Sequence, residues 1–472
     1  MCSVIGLYSK RGEDVSQEAY KFIAALQHRG PQAFGVKTPD AEKKSKTVKG
    51  LLPLPKSPVV LGHCLLSTTG FGVQPLSDGA VSIAHNGQIY NYQELNNSGR
   101  ELVSDSESIA VFLASELRKK SFEEALRGFY EKAEGEYAVG ALHNGSLYAF
   151  RDLLGIKPLW FGENDSFFAF ASEPAALMKI DIQFPRPLLP GHLLEISKKG
   201  ISVKEIYSLE DFKKSVKKKH SISALEKEFE RTMDLQCAGQ KRAAVLFSGG
   251  VDSSLIAKAV SGRVKETVLF VAGVKGSEDL KSAHEAAKAL GLPLEQIILS
   301  EKEVQSLAMR SMKILSFYDE MQVGLAVPVL ACAERIAEQG FNVVFSGQGS
   351  DEIFCGYTNY ANILKDSGYP AVEDEIWFSL SRMWSRNFYR DDIILASQSL
   401  ELRVPFMARS FLQEAMVIPA SEKILSATDS LRKRPVRALA KNLGLPDSIV
   451  SRPKKAMQYG SGVQKIVTKL LK

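Results

Sequence analysis

The sequence contains few of the residues that build metal centres, disulfide frameworks or membrane spans. Its 472 residues include only 5 cysteines and 7 histidines, and no two cysteines form a CxxC pair. An odd number of cysteines without such pairs argues against a zinc ribbon and a disulfide framework, and it favours a reducing compartment. No apolar run reaches the roughly 18–20 residues that span a bilayer, and no signal-peptide pattern opens the chain. We therefore expect a cytoplasmic protein with no membrane partner.

The charge balance is also ordinary for a globular protein. The net charge is +6, from 60 basic and 54 acidic residues, and the hydrophobic fraction is 45%. A positive charge this mild and this dispersed does not indicate nucleic-acid binding. The composition is that of an ordinary globular protein, and the length favours two or three domains.

The pattern of predicted elements changes along the chain. Residues 1–205 contain mostly short strands and turns, including a hairpin signal at Asn144-Gly145, with helical segments between them, which predicts an α+β domain. Residues 206–234 are charged and rich in lysine, which predicts a solvated linker that leads into a helix. From residue 243 the strands AAVLF, ETVLFVAGV, EQIILS and NVVFSG alternate with helical stretches. This alternation predicts a parallel sheet, so we place domains at 2–205 and 235–472.

A glycine turn in the second half has the composition of a phosphate-binding loop. The strand AVLF runs into SGGVDSS (248–254) and then into a helix. Backbone N–H groups can converge on an anion at such a strand–helix turn, although the Lys-Ser/Thr ending of a Walker A loop is absent. A second loop, SGQGSDE (346–352), also follows a strand, so both loops should meet at one sheet edge. Asp252 and Asp351 could then share one Mg²⁺ over a triphosphate.

These two loops resemble a known family. SGGVDSS resembles the pyrophosphate loop of the N-type ATP pyrophosphatases, and GQGSDE, ELRVPF (401–406) and the stretch 431–462 resemble the synthetase domain of asparagine synthetases. The resemblance implies that ATP and Mg²⁺ are bound. It assigns the adenine nucleotide to Leu246, Ala272, Ser346 and Gly347, the pyrophosphate to Ser248, Gly249, Gly250, Asp252 and Ser253, the metal to Asp252 and Asp351, and charge neutralisation during catalysis to Lys454.

The first half contains a candidate nucleophile at Cys2. If Met1 is removed, the free α-amine of Cys2 can act as the base for its own thiol. Behind it stand, in order, HRGPQAFGV (28–36), HNGQIYNYQEL (85–95), SDSE (104–107), EGEYAVGAL (134–142) and RDLLGIKPLWFG (151–162). Together they resemble a class II glutamine amidotransferase domain. The resemblance implies an N-terminal-nucleophile sandwich in which Cys2 attacks glutamine, Asn86 and Gly87 form the oxyanion hole, and Asp105 with Gln88 holds the substrate's α-amino group.

Three positions depart from the family pattern, and one of them is Gln88, which stands where asparagine synthetases commonly have glutamate. In GHCLLST (62–68), Leu65 stands where the family has an arginine that binds the α-carboxylate of glutamine, and Arg29 is the candidate replacement. Gln348 stands where many asparagine synthetases have a glutamate near the amination step. A neutral amide is a poor proton acceptor, so either Glu352 takes over that role or the acceptor carboxylate differs.

The sequence thus predicts an N-terminal-nucleophile sandwich followed by a doubly wound parallel-sheet domain. The function it predicts is ATP-dependent amidation of aspartate with ammonia from glutamine, through a β-aspartyl-adenylate. The alternatives are an ammonia-dependent ligase with a weakened glutaminase site, a ligase for another carboxylate, an RNA-modifying pyrophosphate-loop enzyme and a non-enzymatic scaffold. The expected partners are the small-molecule substrates glutamine, aspartate and ATP, without nucleic acid. A homodimer is expected from the resemblance alone.

Overall fold

The chain forms two compact units. The computed structural model describes residues 1–96, 98–216, 219, 221–316, 319–453 and 460–471. One unit comprises Met1–Phe212 with Ala396–Glu401, and the other comprises Lys213–Leu395 with Leu402–Lys472. The segment predicted as a linker, 206–234, contains two helices, and the domain limits drawn from the sequence stay predictions.

The first unit is built on two antiparallel sheets. Its strands are β1 (Ser3–Ser9), β2 (Ala33–Lys37), β3 (Glu42–Ser45), β4 (Val59–Leu65), β5 (Leu76–Asp78), β6 (Val81–Ile89), β7 (Gly135–His143), β8 (Ser146–Arg151), β9 (Trp160–Glu163), β10 (Phe167–Ala171), β11 (Arg186–Pro187), β12 (His192–Ser197) and β13 (Gly200–Glu205). One sheet has the order β11-β9-β10-β1-β4-β2-β3, and the other has the order β13-β12-β8-β7-β6-β5. Its helices are α1 (Ser16–Leu26), α2 (Tyr92–Leu95), α3 (Asp105–Glu116), α4 (Phe122–Lys132), α5 (Pro174–Met178) and α6 (Leu209–Ser215), within which the division between the units falls.

A shared apolar core lies between the two sheets. It includes Val4 and Phe170 from the first sheet and Ala138 and Leu194 from the second. Helices α1 and α5 pack on the other face of the first sheet through a separate core cluster. Edge-on aromatic contacts join Phe129 of α4 to β7 and β8. The resulting order of layers is helix, sheet, sheet, helix, as the N-terminal-nucleophile resemblance predicted.

The hairpin predicted at Asn144-Gly145 is present between β7 and β8. Both residues have positive φ, 49° and 75°, which are the values that a two-residue type I′ turn needs at its two central positions. The flanking strands pair antiparallel, with His143 opposite Ser146. This turn fixes the register of β7, which in turn pairs with the site-bearing strand β6 along its full length.

The second unit contains a five-stranded sheet of the order β16-β15-β14-β17-β18. Its strands are β14 (Arg242–Leu246), β15 (Glu266–Val274), β16 (Leu294–Leu299), β17 (Val343–Phe345) and β18 (Glu401–Arg403). Its helices are α7 (Ile222–Cys237), α8 (Val251–Ser261), α9 (Glu278–Leu290), α10 (Glu301–Leu315), α11 (Glu320–Glu338), α12 (Ser350–Ile353), α13 (Thr358–Arg382), α14 (Asn387–Ala396), α15 (Arg409–Val417), α16 (Ala420–Lys423), α17 (Arg434–Asn442), α18 (Asp447–Val450) and α19 (Val463–Leu471).

The strand order reverses at β14. This strand pairs parallel with β15 on one side and with β17 on the other. In open parallel sheets ligands bind outside the carboxyl ends of the strands at such a reversal. The two loops singled out in the sequence follow β14 and β17, so both lie at this point. The predicted doubly wound parallel sheet is confirmed.

Two further predictions concern cysteines and membranes. All five cysteines are buried and unpaired, which agrees with the absence of a disulfide framework. Over the described ranges, no single helix is long and apolar enough to cross a bilayer. Helices α10 and α11, which are bent by 108° relative to each other, have the length and composition of a span only when they are taken together.

Candidate active sites

The turn between β14 and α8 has the geometry of an anion-binding loop. Gly249 has a φ of 73°, and a Cβ there would lie 2.3 Å from the carbonyl oxygen of Ser282, so only glycine fits. The N-cap residue of α8 is Gly250, and no side-chain hydrogen bond caps the first N–H groups of this helix. The first N–H groups of α8 are therefore left for an anion. Arg452 secures the turn from outside by donating to the Gly249 carbonyl at 3.2 Å.

Two carboxylates at this turn converge on one cation. The ammonium of Lys433 lies 2.5 Å from Asp252 Oδ2 and 2.6 Å from Asp351 Oδ1. The hydroxyl of Ser350 donates to the other oxygen of Asp252 at 2.6 Å. Mg²⁺ in nucleotide sites is usually held by one or two carboxylates plus substrate phosphates, so this pair fits the ion. Within the described part of the chain, no group of three or more His, Cys, Asp or Glu side chains forms a metal cage.

A large cavity opens from this turn. Its volume is about 1200 Å³. Eight of the nine residues predicted to bind ATP line it, namely Leu246, Ser248, Gly250, Asp252, Ser253, Ala272, Ser346 and Gly347, and so do Asp351 and Glu352. The ninth, Gly249, lies behind the turn, where its backbone packs on Ser282. Lys454, predicted to neutralise phosphate charge, lies outside the described residues.

Glu352 is a buried carboxyl at the wall of this cavity. Its Oε1 accepts hydrogen bonds from the Tyr357 hydroxyl at 2.9 Å and from Asn387 Nδ2 at 2.8 Å. Burial raises the pKa of Glu352, and the neighbouring charge of Asp351 raises it further. A carboxyl whose pKa is raised towards neutrality is a better proton acceptor at physiological pH than an ordinary one.

In the first unit, Cys2 directly precedes β1 in the centre of its sheet. Its Sγ lies 3.4 Å from both the carbonyl oxygen and the backbone nitrogen of Leu66. Burial raises the pKa of the Cys2 thiol to about 11. Met1 is attached and fully buried, so the nitrogen of Cys2 is a peptide nitrogen in this state. With Met1 in place, the thiol is protonated at neutral pH, and the nitrogen of Cys2 itself is not a free amine.

Asn86 and Gly87 occupy β6, on the opposite sheet. Asn86 is fully buried, and neither its Nδ2 nor its Oδ1 has a hydrogen-bond partner among the described residues. An unpaired buried amide is costly unless a ligand pairs with it. Gly87 lines the pocket at Cys2 and has a φ of 133°, and a Cβ there would lie 1.8 Å from the Glu136 carbonyl oxygen. Both features suit the predicted oxyanion hole.

The pocket at Cys2 is small, and the loop residues 66–70 form part of its lining. Its volume is about 20 Å³, little more than one water molecule needs. The side chain of Gln88 donates to Thr68 Oγ1 at 3.1 Å and accepts from the Thr69 hydroxyl at 2.6 Å. Asp105 lines the pocket, and one of its oxygens accepts from the Ile89 N–H at 2.8 Å.

Comparison with known proteins identifies the two halves. The family model described as asparagine synthase matches residues 224–371 and 362–472, and the glutamine amidotransferase domain model matches residues 1–188. A protein of Methanocaldococcus jannaschii named "Putative asparagine synthetase [glutamine-hydrolyzing] 1" is 30% identical over 531 residues, covering 100% of this chain and 96% of that protein. The chain belongs to the asparagine synthetase family. It is therefore an amidoligase enzyme, as its motifs predicted.

Other members and neighbours are more distant. Asparagine synthetase B (glutamine-hydrolysing) of Escherichia coli is 26% identical, covering 99% of this chain and 84% of that protein. Among solved structures, the glutamine phosphoribosylpyrophosphate amidotransferase of B. subtilis, complexed with ADP and GMP, matches with a TM-score of 0.39 and 17% identity, covering 79% of each chain.

The structure places Arg29, the candidate glutamine clamp, beside the backbone of Cys2. This side chain is fully buried, and its Nε donates to the Cys2 carbonyl at 2.9 Å while its Nη1 donates to Glu173 at 2.9 Å. It does not line the pocket. The guanidinium of Arg29 thus holds the backbone of the nucleophile in this structure, and its role in binding glutamine stays a prediction.

Leu65 indeed occupies the wall of the pocket. It packs with Cys2, Ala33 and Val73 in a small apolar cluster. Among the pocket-lining residues that the structure describes, none is a lysine or an arginine. His85 lines the pocket, and burial lowers its pKa to about 3, so it is neutral at pH 7. Compared with the family pattern, this pocket lacks a cation for the α-carboxylate.

Several cavity residues were missed by the sequence analysis. The most important is Lys433, which holds both metal-site carboxylates from a position just before α17. Tyr357, Asn387, Arg390 and Asp391 also line the cavity. Lys433 lies in the stretch 431–462 that resembles the synthetase domain, but that resemblance gave it no role, and basic runs such as RKRPVR usually mark a solvated surface.

Proposed function

We propose that this member of the asparagine synthetase family makes asparagine from aspartate through a β-aspartyl-adenylate, with ammonia supplied from glutamine at Cys2. The observation that carries the proposal is the position of the anion-binding turn, the Asp252–Asp351 pair and the buried Glu352 around one cavity at the reversal point of the parallel sheet. On this proposal the cavity would combine a phosphate site with a proton acceptor, which are the two requirements of this chemistry.

In the first step an oxygen of the aspartate β-carboxylate attacks the α-phosphorus of ATP, and pyrophosphate leaves. Ser248, Gly250 and Ser253 would hold the departing pyrophosphate through the turn and the start of α8. Asp252 and Asp351 would hold Mg²⁺, which when bound neutralises charge on the phosphates. Lys433 supports these two carboxylates, and the resemblance gives Lys454 the task of stabilising negative charge on the phosphates.

In the second step ammonia attacks the activated carboxyl. The nitrogen forms a bond to the carbonyl carbon, the bond from that carbon to the AMP oxygen breaks, and one proton leaves the nitrogen. Glu352 is the group that we assign to receive this proton, because its pKa is raised and it lines the cavity. Of the two explanations for Gln348, which cannot accept the proton itself, this proposal takes the one in which Glu352 is the acceptor.

In the first unit Cys2 would hydrolyse glutamine once Met1 has been removed. The freed α-amine takes the thiol proton, the thiolate attacks the amide carbon, and the amine passes the proton to the departing ammonia. Water then cleaves the thioester to give glutamate. Asn86 Nδ2 and the Gly87 N–H would stabilise the oxyanion. Removing one such donor typically lowers kcat by about 10²–10³-fold. Asp105 and Gln88 would bind the α-amino group.

A second candidate is a ligase that uses free ammonia in preference to glutamine. The absence of a lysine or arginine among the described lining residues of the Cys2 pocket, together with Leu65, favours it. A charged hydrogen-bonding partner for the α-carboxylate would contribute about 1.5–3 kcal/mol to glutamine binding.

Exchange of labelled pyrophosphate into ATP tests the synthetase half directly. The exchange should require aspartate and Mg²⁺ and should proceed without any nitrogen donor. Glutamate, succinate and β-alanine serve as matched carboxylates. Exchange driven by one of these and not by aspartate would sink the aspartate assignment while keeping the adenylate, and exchange with none would sink the adenylate itself.

A further inference from the structure

The side chain of Arg437, on α17, binds four backbone carbonyl groups beside the cavity of the second unit. Its Nε donates to the carbonyl oxygens of Leu431 at 3.1 Å and Arg432 at 2.9 Å. Its Nη2 donates to Leu431 at 2.7 Å and to Arg452 at 2.9 Å, and its Nη1 donates to Val450. Arg437 is buried and lines the cavity. One guanidinium thus ties two separate chain segments to α17, and we call this arrangement the Arg437 clamp.

The first of these segments leads into Lys433 through a left-handed backbone. Arg432 and Lys433 have φ values of 45° and 51°, in a region that residues other than glycine seldom adopt. Such a conformation persists only where surrounding contacts hold it. Arg437 binds the carbonyl groups of Leu431 and Arg432, and Asp429 accepts from the N–H groups of the same two residues at 3.1 and 3.2 Å. The clamp therefore holds the turn from which the Lys433 ammonium reaches the two metal-site carboxylates.

The second segment connects the clamp to the anion-binding turn. Arg452, whose carbonyl oxygen Arg437 binds, donates from its Nη1 to the carbonyl oxygens of Gly249 at 3.2 Å and Ser282 at 3.1 Å. Its Nη2 donates to Glu285 of α9 at 2.7 Å. A displacement of the Arg452 backbone would therefore move the side chain that secures the turn after β14.

The charge of Arg437 is not paired with a carboxylate within the part of the chain that the structure describes. Its five hydrogen bonds all go to backbone carbonyl oxygens. A fixed positive charge at the wall of a cavity attracts anions such as phosphates. A substitution that removes this charge would change attraction and geometry together, so a test of the geometry has to keep the charge.

We propose that Arg437 is a positioning residue for nucleotide binding and adenylation: it holds the turn before Lys433 and, through Arg452, the anion-binding turn after β14. The inference rests on the proposed function, because the phosphates concerned are those of the ATP that would activate aspartate. No bond forms or breaks at Arg437 in this role, and it neither gains nor loses a proton.

The binding of MgATP tests the clamp without any chemistry. In Arg437→Lys the charge remains, but one ammonium lacks the fork of donors that spans the carbonyl groups of both segments. The Kd for MgATP, measured by isothermal titration calorimetry on the full chain, should rise about tenfold, the size of one hydrogen bond. In pyrophosphate exchange driven by aspartate, kcat should fall about 100-fold, as for a displacement of about 1 Å at the reacting groups, and the KM for aspartate should stay near its parent value.

A rescue experiment and a matched control complete the test. Arg437→Ala leaves a space that opens to the cavity, so guanidinium at millimolar concentration should restore exchange several-fold, whereas urea at the same concentration should not. Arg263→Met removes another arginine of the second unit. Arg263 binds the Ala259 carbonyl at 3.1 Å and two acidic side chains, and it does not line the cavity. This control should lower the free energy of unfolding and leave the Kd for MgATP unchanged.

The contrary results are distinct. A parent-like Kd for MgATP in Arg437→Lys would show that the charge alone is needed and would overturn the inference. Loss of the folded state in Arg437→Lys, or an equal rise of the Kd in Arg263→Met, would assign Arg437 to the fold alone and would also overturn it. Absence of aspartate-dependent exchange in the parent enzyme would contradict the adenylate route, and the Kd values for MgATP would still decide the role of Arg437.

Discussion

The ammonium of Lys433 lies 2.5 Å from the carboxylate of Asp252, and the Lys433 side chain has no exposed surface. The same ammonium contacts Asp351 at 2.6 Å. Lys433 thus joins the turn after β14 to the loop after β17, although 181 residues separate it from Asp252 in the sequence. It holds the two carboxylates together at the place where the proposed Mg²⁺ and the phosphates would bind.

Lys433→Met should destabilise the protein and abolish pyrophosphate exchange. Removing one partner of a buried ion pair costs about 3–5 kcal/mol, because the remaining charge is buried without compensation. Urea unfolding measures this loss, and added Mg²⁺ should raise the Tm of the variant more than that of the parent. Lys281→Met, at an exposed lysine of the same cavity, is the control and should change stability little. If the parent and Lys433→Met had the same free energy of unfolding, this would contradict the buried ion pairs of Lys433 with Asp252 and Asp351.

Leu65→Arg should improve the use of glutamine. The change places a cation in the wall of a pocket whose described lining has no lysine or arginine. A hydrogen bond to a charged group contributes about 1.5–3 kcal/mol, so kcat/KM for glutamine should rise roughly 10- to 100-fold, mainly through KM. Leu65→Met is the control for packing, and ammonium-dependent synthesis should be unchanged in both variants. A KM for glutamine that does not fall would mean that the α-carboxylate is bound elsewhere.

Arg29→Met should lower the kcat of glutamine hydrolysis and leave the KM for glutamine near its parent value. Arg29 contacts the Cys2 carbonyl and Glu173, not the pocket. Burial by itself raises the pKa of Glu173, but its hydrogen bond to His28 and the charges of His28 and Arg29 bring that pKa down to about 2, so the variant should raise it. Steady-state kinetics with glutamine separates the two constants. A raised KM with unchanged kcat would restore Arg29 as the substrate clamp.

The pH dependence of ammonium-dependent synthesis should report the raised pKa of Glu352. A carboxyl with a raised pKa stays protonated up to a higher pH than an ordinary carboxyl does. Below that pKa, Glu352 already carries a proton and cannot accept the one from nitrogen. At a fixed concentration of neutral ammonia, the rate should fall as the pH drops through this pKa, in a range above that of an ordinary carboxyl. Glu352→Gln should lower the rate and remove this acidic limb. A limb that persists in Glu352→Gln would assign the proton to another group.

The free energy of unfolding should also depend on the titration of Glu352, and it should fall as the pH rises. Because the folded protein holds the proton of Glu352 more tightly than the unfolded chain does, Glu352 contributes stability at low pH that is lost as the pH rises through its raised pKa. In Glu352→Gln this loss should be absent, which urea unfolding at several pH values would show.

Local motifs were sufficient to predict where both candidate sites lie. They were not sufficient to predict all the side chains that line these sites. The glycine turn at Ser248–Ser253, the second loop after β17 and the Cys2 neighbourhood all follow from short stretches whose backbone sets the geometry. Lys433 and Asp391 could not be found in this way, because each reaches the cavity from a distant helix or loop that only tertiary packing brings there. The contacts of Arg29 could not be predicted for a related reason, since its burial against Glu173 depends on a contact 144 residues away. The strand β18 was missed because two of its three residues, Glu401 and Arg403, are charged, whereas the equally short β17 is entirely apolar.

The most direct test of a two-site amidoligase is product analysis with ATP, Mg²⁺ and aspartate, with glutamine labelled with ¹⁵N in its side-chain amide or labelled ammonium as the nitrogen donor. The enzyme should be checked by mass spectrometry for removal of Met1. The account predicts labelled asparagine, AMP and pyrophosphate from both donors, with ammonium the more efficient because Leu65 replaces the clamp. Folded, ATP-binding protein that forms no asparagine from either donor would contradict it.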